Sequence, residues 1–325
     1  AYMFEIGDTL EPVLEFDGTA TVELDGKDVT TEASVETVDA KKTVGSDYKE
    51  STDKYSVGDS VPFKINTAVP NYPKDSKNAT FTIGDTPSAG LKIKTDTIKI
   101  NGQKAVSGAD YTLTASKTGY TIEYSKDYVL AHPGEAIEVT YEAELTSDAF
   151  SHSATDVTGN TATVTFNPNP YENKTVTPNS NTTVKTYGYV FKKTDPEGNP
   201  LQGATFTLTL DNGKVLTSTS DANGYVYFSG LAAGHYKISE TGVPTGYTKV
   251  NDIEFDLSDT TATADNPATT DVENNYLVNS QNVVDNRQPV LPVTGDAGTF
   301  MFTAIGTVLL VAGVGAIVYS RKQRA

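Results

Sequence analysis

Apolar and polar residues alternate with a period of two along most of this chain, and this pattern constrains the fold more than any other feature. Val61, Phe63 and Ile65 share one face of such a segment. A second segment places the following residues on one face: Ile137, Val139, Tyr141 and Leu145. Residues 205–210 and 225–228 repeat the pattern, and Gly- and Asn-containing turns separate them. Alternation of this kind is typical of half-buried β-strands.

The fold class follows from the number and spacing of these strands. No convincing amphipathic helix precedes residue 300. Many short strands separated by Gly, Asn and Pro predict an all-β protein of tandem immunoglobulin-like β-sandwich domains. We place one sandwich at residues 41–184 and the next at residues 185–287, with a C-terminal segment at 288–325.

The first 40 residues form a partial β unit that resembles part of the next domain. Residues 4–9 match residues 81–86, and the turn at 25–27 follows at nearly the spacing of the turn at 101–103. Two interpretations stay open: an upstream domain is truncated, or a degenerate unit packs on the next module. No signal peptide is visible at the N-terminus, so we interpret the sequence as a mature form or a fragment.

Composition agrees with an exported, extended, strand-rich protein, which needs a brace other than disulfides if it bears load. The chain has no Cys and no Trp, but it has 18 Tyr and 26 Gly. The formal net charge of -17 argues against nucleic acid or an anionic membrane surface as a partner, because both would repel it.

The C-terminus contains three consecutive signals. The first is a pentapeptide of Leu291, Pro292, Val293, Thr294 and Gly295. An apolar run at 300–319 follows, and a basic tail at 321–324 completes the segment. Twenty residues in a helix extend about 30 Å, the thickness of the hydrocarbon core of a bilayer. The basic tail favours the cytoplasmic side, which places everything before residue 300 outside the cell.

This order of signals resembles the cell-wall sorting signal of Gram-positive surface proteins, with its LPxTG motif. The resemblance implies that a sortase cuts between Thr294 and Gly295 and joins Thr294 to an amine of peptidoglycan or of another pilin subunit. It also implies that the helix at 300–319 touches the membrane only transiently.

The last module contains a second resemblance, in residues 191–195, 201–206 and 236–247. The stretch YKISETGVPTGY is similar to the E-box of the collagen-adhesin B-type pilin domains. That resemblance implies a spontaneous isopeptide bond between Lys193 and Asn286, promoted by Glu240. Asn274 and Asn275 remain alternatives to Asn286, and Lys192 is the neighbouring alternative for the amine.

The chemistry explains why such a bond needs these residue types. Burial lowers the pKa of a lysine and releases the neutral amine, which is the nucleophile. The same burial raises the pKa of a carboxylic acid, which can then donate a proton to the carboxamide and pass protons to the departing ammonia.

The preceding module resembles the fimbrial isopeptide-forming domain of shaft pilins, in residues 55–59, 69–72, 81–86 and 159–170. The resemblance implies Asp85 as the acid and Lys42 as the amine, with Lys41 as the alternative. It implies Asn169 as the partner, preferred to Asn167.

Together these features predict a structural pilin subunit that is polymerised or wall-linked, and not an enzyme, a metal site or a cofactor site. The three His are scattered and no Cys is present. The acceptor lysine of shaft pilins has no clear counterpart; Lys74 we interpret as an ordinary turn residue. A monomeric wall-anchored adhesin, whose domains are a stalk for an N-terminal module that binds host matrix or mucus, is the alternative.

Overall fold

The computed structural model describes residues 19–24, 27–32, 35, 37–149, 158–169, 172–261, 276–279 and 281–289. Before the first module, the backbone of β1 (Thr19–Leu24) pairs antiparallel with β2 (Lys27–Glu32). Two separate hydrophobic cores follow, one formed by residues between Val35 and Val184 and the other by residues between Tyr187 and Leu257.

The first module is a sandwich of two sheets. Its strands are β3 (Lys41–Val44), β4 (Ser51–Thr52), β5 (Ser60–Ala68), β6 (Phe81–Pro87), β7 (Leu91–Ile93), β8 (Lys99–Ile100), β9 (Gln103–Lys104), β10 (Tyr111–Ser116), β11 (Gly119–Tyr124), β12 (Ala136–Leu145), β13 (Thr158–Phe166) and β14 (Asn179–Val184). One sheet has the order β10-β11-β6-β13-β14-β4; the other has the order β3-β5-β12-β8-β9, with β7 also paired to β12.

The inward faces of these sheets follow the predicted alternation. On β5, Val61, Phe63 and Ile65 are buried, and the same is true of the predicted face of β12. The Phe63 ring stacks on Tyr141 of β12 at a centroid distance of 5.4 Å. The predicted all-β fold is confirmed. Burial of every second side chain of these strands stabilises the packing of the two sheets.

One short helix departs from the sequence expectation. Helix α1 (Lys126–Ala131) begins after Ser125, whose hydroxyl accepts a hydrogen bond from the Tyr128 N–H at 3.2 Å. Ser is a favoured N-cap residue. The helix has six residues, too few for the apolar period by which helices are recognised in a sequence.

The second module is also a two-layer sandwich. Its strands are β15 (Tyr187–Thr194), β16 (Thr205–Thr209), β17 (Val215–Thr219), β18 (Tyr225–Leu231), β19 (Gly234–Gly242), β20 (Ile253–Leu257), β21 (Tyr276–Val278) and β22 (Val283–Val284). One layer contains β18-β15-β21 with β22 also paired to β15; the other has the order β17-β16-β19-β20. Strand β15 is parallel to both β21 and β22, so the first and last described strands of the module are neighbours.

The two modules contact each other through a loop that precedes β5. The Val57 N–H donates to the Gly230 carbonyl at 2.8 Å, and the Ala233 N–H donates to the Asp53 carbonyl at 2.7 Å. The Tyr187 hydroxyl at the start of the second module donates to the Asp53 carboxylate at 3.0 Å. These contacts form a hydrogen-bonded junction between the modules.

Candidate cross-linking sites

The first site lies between the two sheets of the first module. Lys42 on β3 and Tyr141 on β12 come from one sheet, and Asp85 on β6 and Asn160 on β13 come from the other. All four residues are 1 or 2% exposed. Strands β6 and β13 are antiparallel neighbours, and Ala162 pairs with Asp85. Asn160 therefore faces inward two residues from that pair, close to the carboxylate.

The Tyr141 hydroxyl joins the other three polar groups. It donates to Asp85 Oδ1 at 2.8 Å and accepts from Lys42 Nζ at 2.7 Å and from Asn160 Nδ2 at 2.8 Å. Lys42 Nζ also forms an ion pair with Asp85. The amine, the acid and the carboxamide thus meet around one phenol.

Burial shifts the pKa values of the two ionisable groups at this site. It lowers the pKa of the Lys42 amine from 10.5 to about 8, although the Asp85 charge opposes the shift. Burial also raises the pKa of the Asp85 carboxyl, and the Lys42 charge again opposes the shift. Both changes favour the neutral amine and the neutral acid, because desolvation penalises each charged form.

One atom of the first site has no partner among the described residues. Asn160 Oδ1 is buried and accepts no hydrogen bond. An unsatisfied buried acceptor costs about 1 to 3 kcal/mol. A protonated carboxyl beside this oxygen would remove that cost, and it would also make the Asn160 carbonyl carbon more electrophilic.

The structure does not bring Asn169 to Lys42, and the expectation for that residue needs correction. Asn167 and Asn169 follow the far end of β13, with Asn167 Oδ1 accepting from the Asn169 N–H at 3.0 Å. A strand rises roughly 3.3 Å per residue, so Asn167 lies about 23 Å from Asn160 along the chain. Lys41, the alternative amine, is exposed.

The second site lies at the meeting of the first and last strands of the second module. Lys193 on β15 pairs with Val283 of β22, and Asp285 follows directly after that strand. Glu240 comes from β19 in the opposite layer. Lys193, Glu240 and Asp285 are all buried. Lys192 points away from this site, with its amine 5.9 Å from the centroid of the Tyr225 ring.

The Lys193 amine faces a carboxylate. Lys193 Nζ lies 2.8 Å from Asp285 Oδ1, and both side chains are 0% exposed. The amine also donates to the Val283 carbonyl at 3.1 Å and to the Thr194 carbonyl at 3.4 Å. The backbone of the two parallel strands therefore holds the amine against Asp285.

Glu240 completes the second site, and its surroundings favour the neutral acid. Burial raises its pKa, and the neighbouring Asp285 charge adds to the rise, while the Val250 N–H and the Lys193 charge oppose it. Glu240 Oε2 accepts from the Val250 N–H at 2.9 Å. Glu240 Oε1 and both Asp285 oxygens lack a hydrogen bond of suitable geometry among the described residues. A proton on Glu240 Oε1 would satisfy this pair of facing carboxyls.

The structure does not bring Asn286 to Lys193. Asn286 is exposed, and its carbonyl accepts from the Thr248 N–H at 2.8 Å. The reason is strand parity: Asp285 faces the core, so the next residue faces solvent. The alternatives Asn274 and Asn275 lie outside the described residues.

Sequence reasoning missed Tyr141, Asn160 and Asp285 as site residues. The sequence alternation does point to Asn160, because it falls on the inward face of β13. That face also carries the apolar residues Ala162, Val164 and Phe166. Asp285 likewise shares a strand face with Val283, two residues before it. A polar residue on a buried strand face needs a partner inside.

The sortase motif at 291–295, the apolar run at 300–319 and the basic tail at 321–324 lie outside the described residues. Within the described part of the chain, no helix is long and apolar enough to cross a bilayer. In the same part, no group of three or more His, Asp or Glu side chains is arranged to hold a metal ion.

Comparison with known proteins agrees with this architecture. Residues 188–274 match the SpaA family, described as a prealbumin-like fold domain. The trypsin-resistant surface T6 protein of Streptococcus pyogenes serotype M6 is 22% identical over 82% of this chain and 65% of its own length. Fimbrial subunit type 2 of Actinomyces naeslundii is 24% identical over 83% of this chain and 58% of its own length. The chain thus spans less than two thirds of either relative.

The likeness in fold extends over both modules of this chain. The T6 backbone pilin of serotype M6 Streptococcus pyogenes, 17% identical, superposes with a TM-score of 0.65 over 81% of this chain and 72% of that chain. The predicted resemblance to Gram-positive pilin subunits is confirmed.

Proposed function

We propose that this chain is a structural subunit of a Gram-positive pilus, displayed on the cell surface and joined to further subunits. The observation that carries the proposal is the match of the tandem sandwiches, over 81% of the chain, to a backbone pilin. A shaft subunit transmits load from one neighbour to the next, so its modules must resist unfolding under tension.

The buried lysine sites support this role, since each can provide a covalent brace. In the first module, the neutral Lys42 amine attacks the Asn160 side-chain carbonyl carbon, and the carboxamide nitrogen leaves as ammonia. One amine hydrogen leaves with it, so the products are one amide and one ammonia. Asp85 in its acid form donates its proton toward the carbonyl oxygen. The proton that the attacking amine loses then passes through Asp85 to the leaving nitrogen, and Asp85 ends protonated again.

Such a bond stabilises the module through the unfolded state. It closes a loop of about 120 residues, and for loops near this length the chain-entropy model gives about 4 to 5 kcal/mol. This compensates for the lack of cysteine in the sequence. An amide is also insensitive to the redox conditions outside the cell.

Assembly rests on the sorting signal. A sortase cleaves after Thr294 and transfers its acyl group to an amine of another subunit or of peptidoglycan. Sortase, other pilin subunits and peptidoglycan are therefore the proposed partners, and the apolar segment at 300–319 holds the precursor in the membrane until cleavage.

The test is expression of the chain in a Gram-positive host with and without its pilus sortase. We expect ladders of high molecular weight that survive boiling in detergent and disappear in the sortase mutant. Thr294→Ala should abolish the ladders, whereas Thr303→Ala, in the apolar run, should leave them. A single wall-linked band in the sortase-positive host would refute polymerisation and favour the adhesin stalk.

A further inference from the structure

We propose that the second module carries a docking surface for the sortase, so that the enzyme binds the folded module as well as the pentapeptide. The docking surface consists of the turn between β15 and β16 at residues 195–199, the loop at 244–248 and the segment 286–288. This inference rests on the proposed function, because it describes how the enzyme that joins the subunits recognises this one.

Hydrogen bonds hold the chain to the module as far as Gln288. The Thr248 N–H donates to the Asn286 carbonyl, and the Gln288 N–H donates to the Gly246 carbonyl, both at 2.8 Å. The Gln288 side-chain amide donates to the Tyr247 carbonyl at 3.1 Å. The path of the chain is therefore fixed up to this residue.

Arg287 adds a charged contact beside this pairing. Its Nη2 atom lies 2.8 Å from Glu197 Oε2 and 3.6 Å from Asp195 Oδ2, and its guanidinium lies 5.6 Å from the centroid of the Tyr247 ring. The Arg287 and Glu197 side chains are 58% and 55% exposed. An exposed ion pair contributes little to stability, whereas arginine is enriched where proteins bind each other. The docking surface thus presents both charges to a partner.

The sorting pentapeptide begins very close to this anchored end. Only Pro289 and Val290 separate Gln288 from Leu291. A chain extends at most about 3.6 Å per residue, so the Leu291 Cα lies within about 11 Å of the Gln288 Cα in any conformation. Pro289 also fixes its own φ and restricts the residue before it, which leaves this tether little freedom.

The tether is shorter than the enzyme is wide. A globular domain of about 100 residues has a radius of gyration of roughly 13 Å. A sortase that binds residues 291–295 to reach the Thr294 carbonyl surrounds Leu291 with its own atoms. The rim of its groove therefore meets the docking surface whenever the pentapeptide is bound. The exposed charges of Arg287 and Glu197 fit a polar rim of complementary charge.

The test follows conversion of the precursor by pulse labelling in a Gram-positive host that carries its pilus sortase. Glu197→Lys reverses one charge of the docking surface. We expect the full chain to be converted roughly tenfold more slowly, the scale of one lost interface anchor. Glu254→Lys is the matched control and should leave the rate unchanged. Glu254 is 57% exposed and pairs with Lys237 between β20 and β19, outside the docking surface.

A longer tether separates docking from an effect on folding. An insert of about eight Gly and Ser residues between Gln288 and Pro289 adds up to about 29 Å of reach, so the enzyme can bind the pentapeptide clear of the module. With this insert, chains with and without Glu197→Lys should be converted at equal rates. Equal slowing at both tether lengths would overturn the inference, because a folding defect acts at either length. A normal rate for Glu197→Lys on the native tether would overturn it as well.

Failure of this inference is distinguishable from failure of the proposed function. Sortase-dependent ladders that form at the same rate in every variant would refute docking alone. A full chain that the sortase never converts at Thr294 would refute the proposed function and the docking surface with it.

Discussion

Tyr141 shows how one side chain can organise a reaction that it does not itself undergo. Its hydroxyl contacts Lys42, Asp85 and Asn160, and burial, with the Asp85 charge, raises its pKa well above the ordinary value. It therefore stays protonated and fixes the direction of the Asn160 carboxamide. We assign it as a positioning residue.

Replacing Tyr141 by Phe should slow formation of the Lys42–Asn160 bond on the order of 100-fold, the scale of a lost proton-transfer or positioning group. The measurement is a time course of ammonia loss from freshly synthesised chain by intact mass. Tyr120→Phe is the control, because the buried Tyr120 hydroxyl has no partner among the described residues. Equal rates in both variants would contradict the role of Tyr141.

The lowered pKa of Lys42 predicts a pH dependence in a chain that cannot form the bond, such as Asn160→Ala. The pKa is 10.5 when unfolded and about 8 when folded, so the unfolded state binds more protons between these values. The Lys42 contribution to the free energy of unfolding should therefore rise with pH by about 3 kcal/mol across this window.

Urea unfolding of Asn160→Ala, with and without Lys42→Met, at several pH values between 7 and 10.5 isolates that contribution. The difference between the two variants should grow toward high pH and flatten near pH 7. A difference that grows toward low pH would mean that the amine stays charged in the folded state.

At the scale of elements, β22 is the strand that the proposed cross-link at Lys193 would stabilise most. It has two residues and pairs only with β15 in the described structure. A strand this short contributes few hydrogen bonds, so we expect it to open locally when the cross-link is missing.

Glu240→Ala should prevent the Lys193 bond and speed amide hydrogen exchange in residues 281–289, including the Asp285 N–H. Hydrogen exchange with mass spectrometry measures this. The control is Glu254→Ala, on the exposed face of β20, which should leave exchange in this segment unchanged. Slow exchange in the Glu240 variant would show that noncovalent pairing alone holds β22.

Strand alternation explains both what the sequence predicts and what it misses. It predicts the inward faces of β5 and β12 directly. The family resemblance predicts Lys42 and Lys193 as the buried amines. The position of each family motif predicts the asparagine partner. It gives Asn286, one residue past Asp285, and Asn169, nine residues past Asn160. The pairing between distant strands decides which residue meets each lysine amine. The local sequence around a motif does not show that pairing.

For the whole molecule, the junction between the modules decides whether load passes along a rigid body. Gly230 has a φ of +70° and lies against the Val57 side chain, where an added Cβ would collide. Close approach of the two backbones at this point therefore requires glycine.

Gly230→Ala should loosen the junction while both internal bonds still form. Small-angle scattering should give a larger radius of gyration than for the unaltered chain, with unchanged cross-linked peptides. Gly213→Ala is the matched control, because its φ is +82° and an added Cβ meets nothing within 4 Å. Identical scattering from both variants would show that other contacts hold the junction.

The position of Asn160 on β13 has a mechanical consequence. A bond there leaves residues 161–184, with β14, outside the closed loop. When a subunit is stretched, β14 and then the rest of β13 can peel away until the amide stops them, a travel of about 80 Å at roughly 3.3 Å per residue. The first module would then lengthen by a limited distance when fluid flow pulls on the pilus, and the amide would carry the load once that distance is used up.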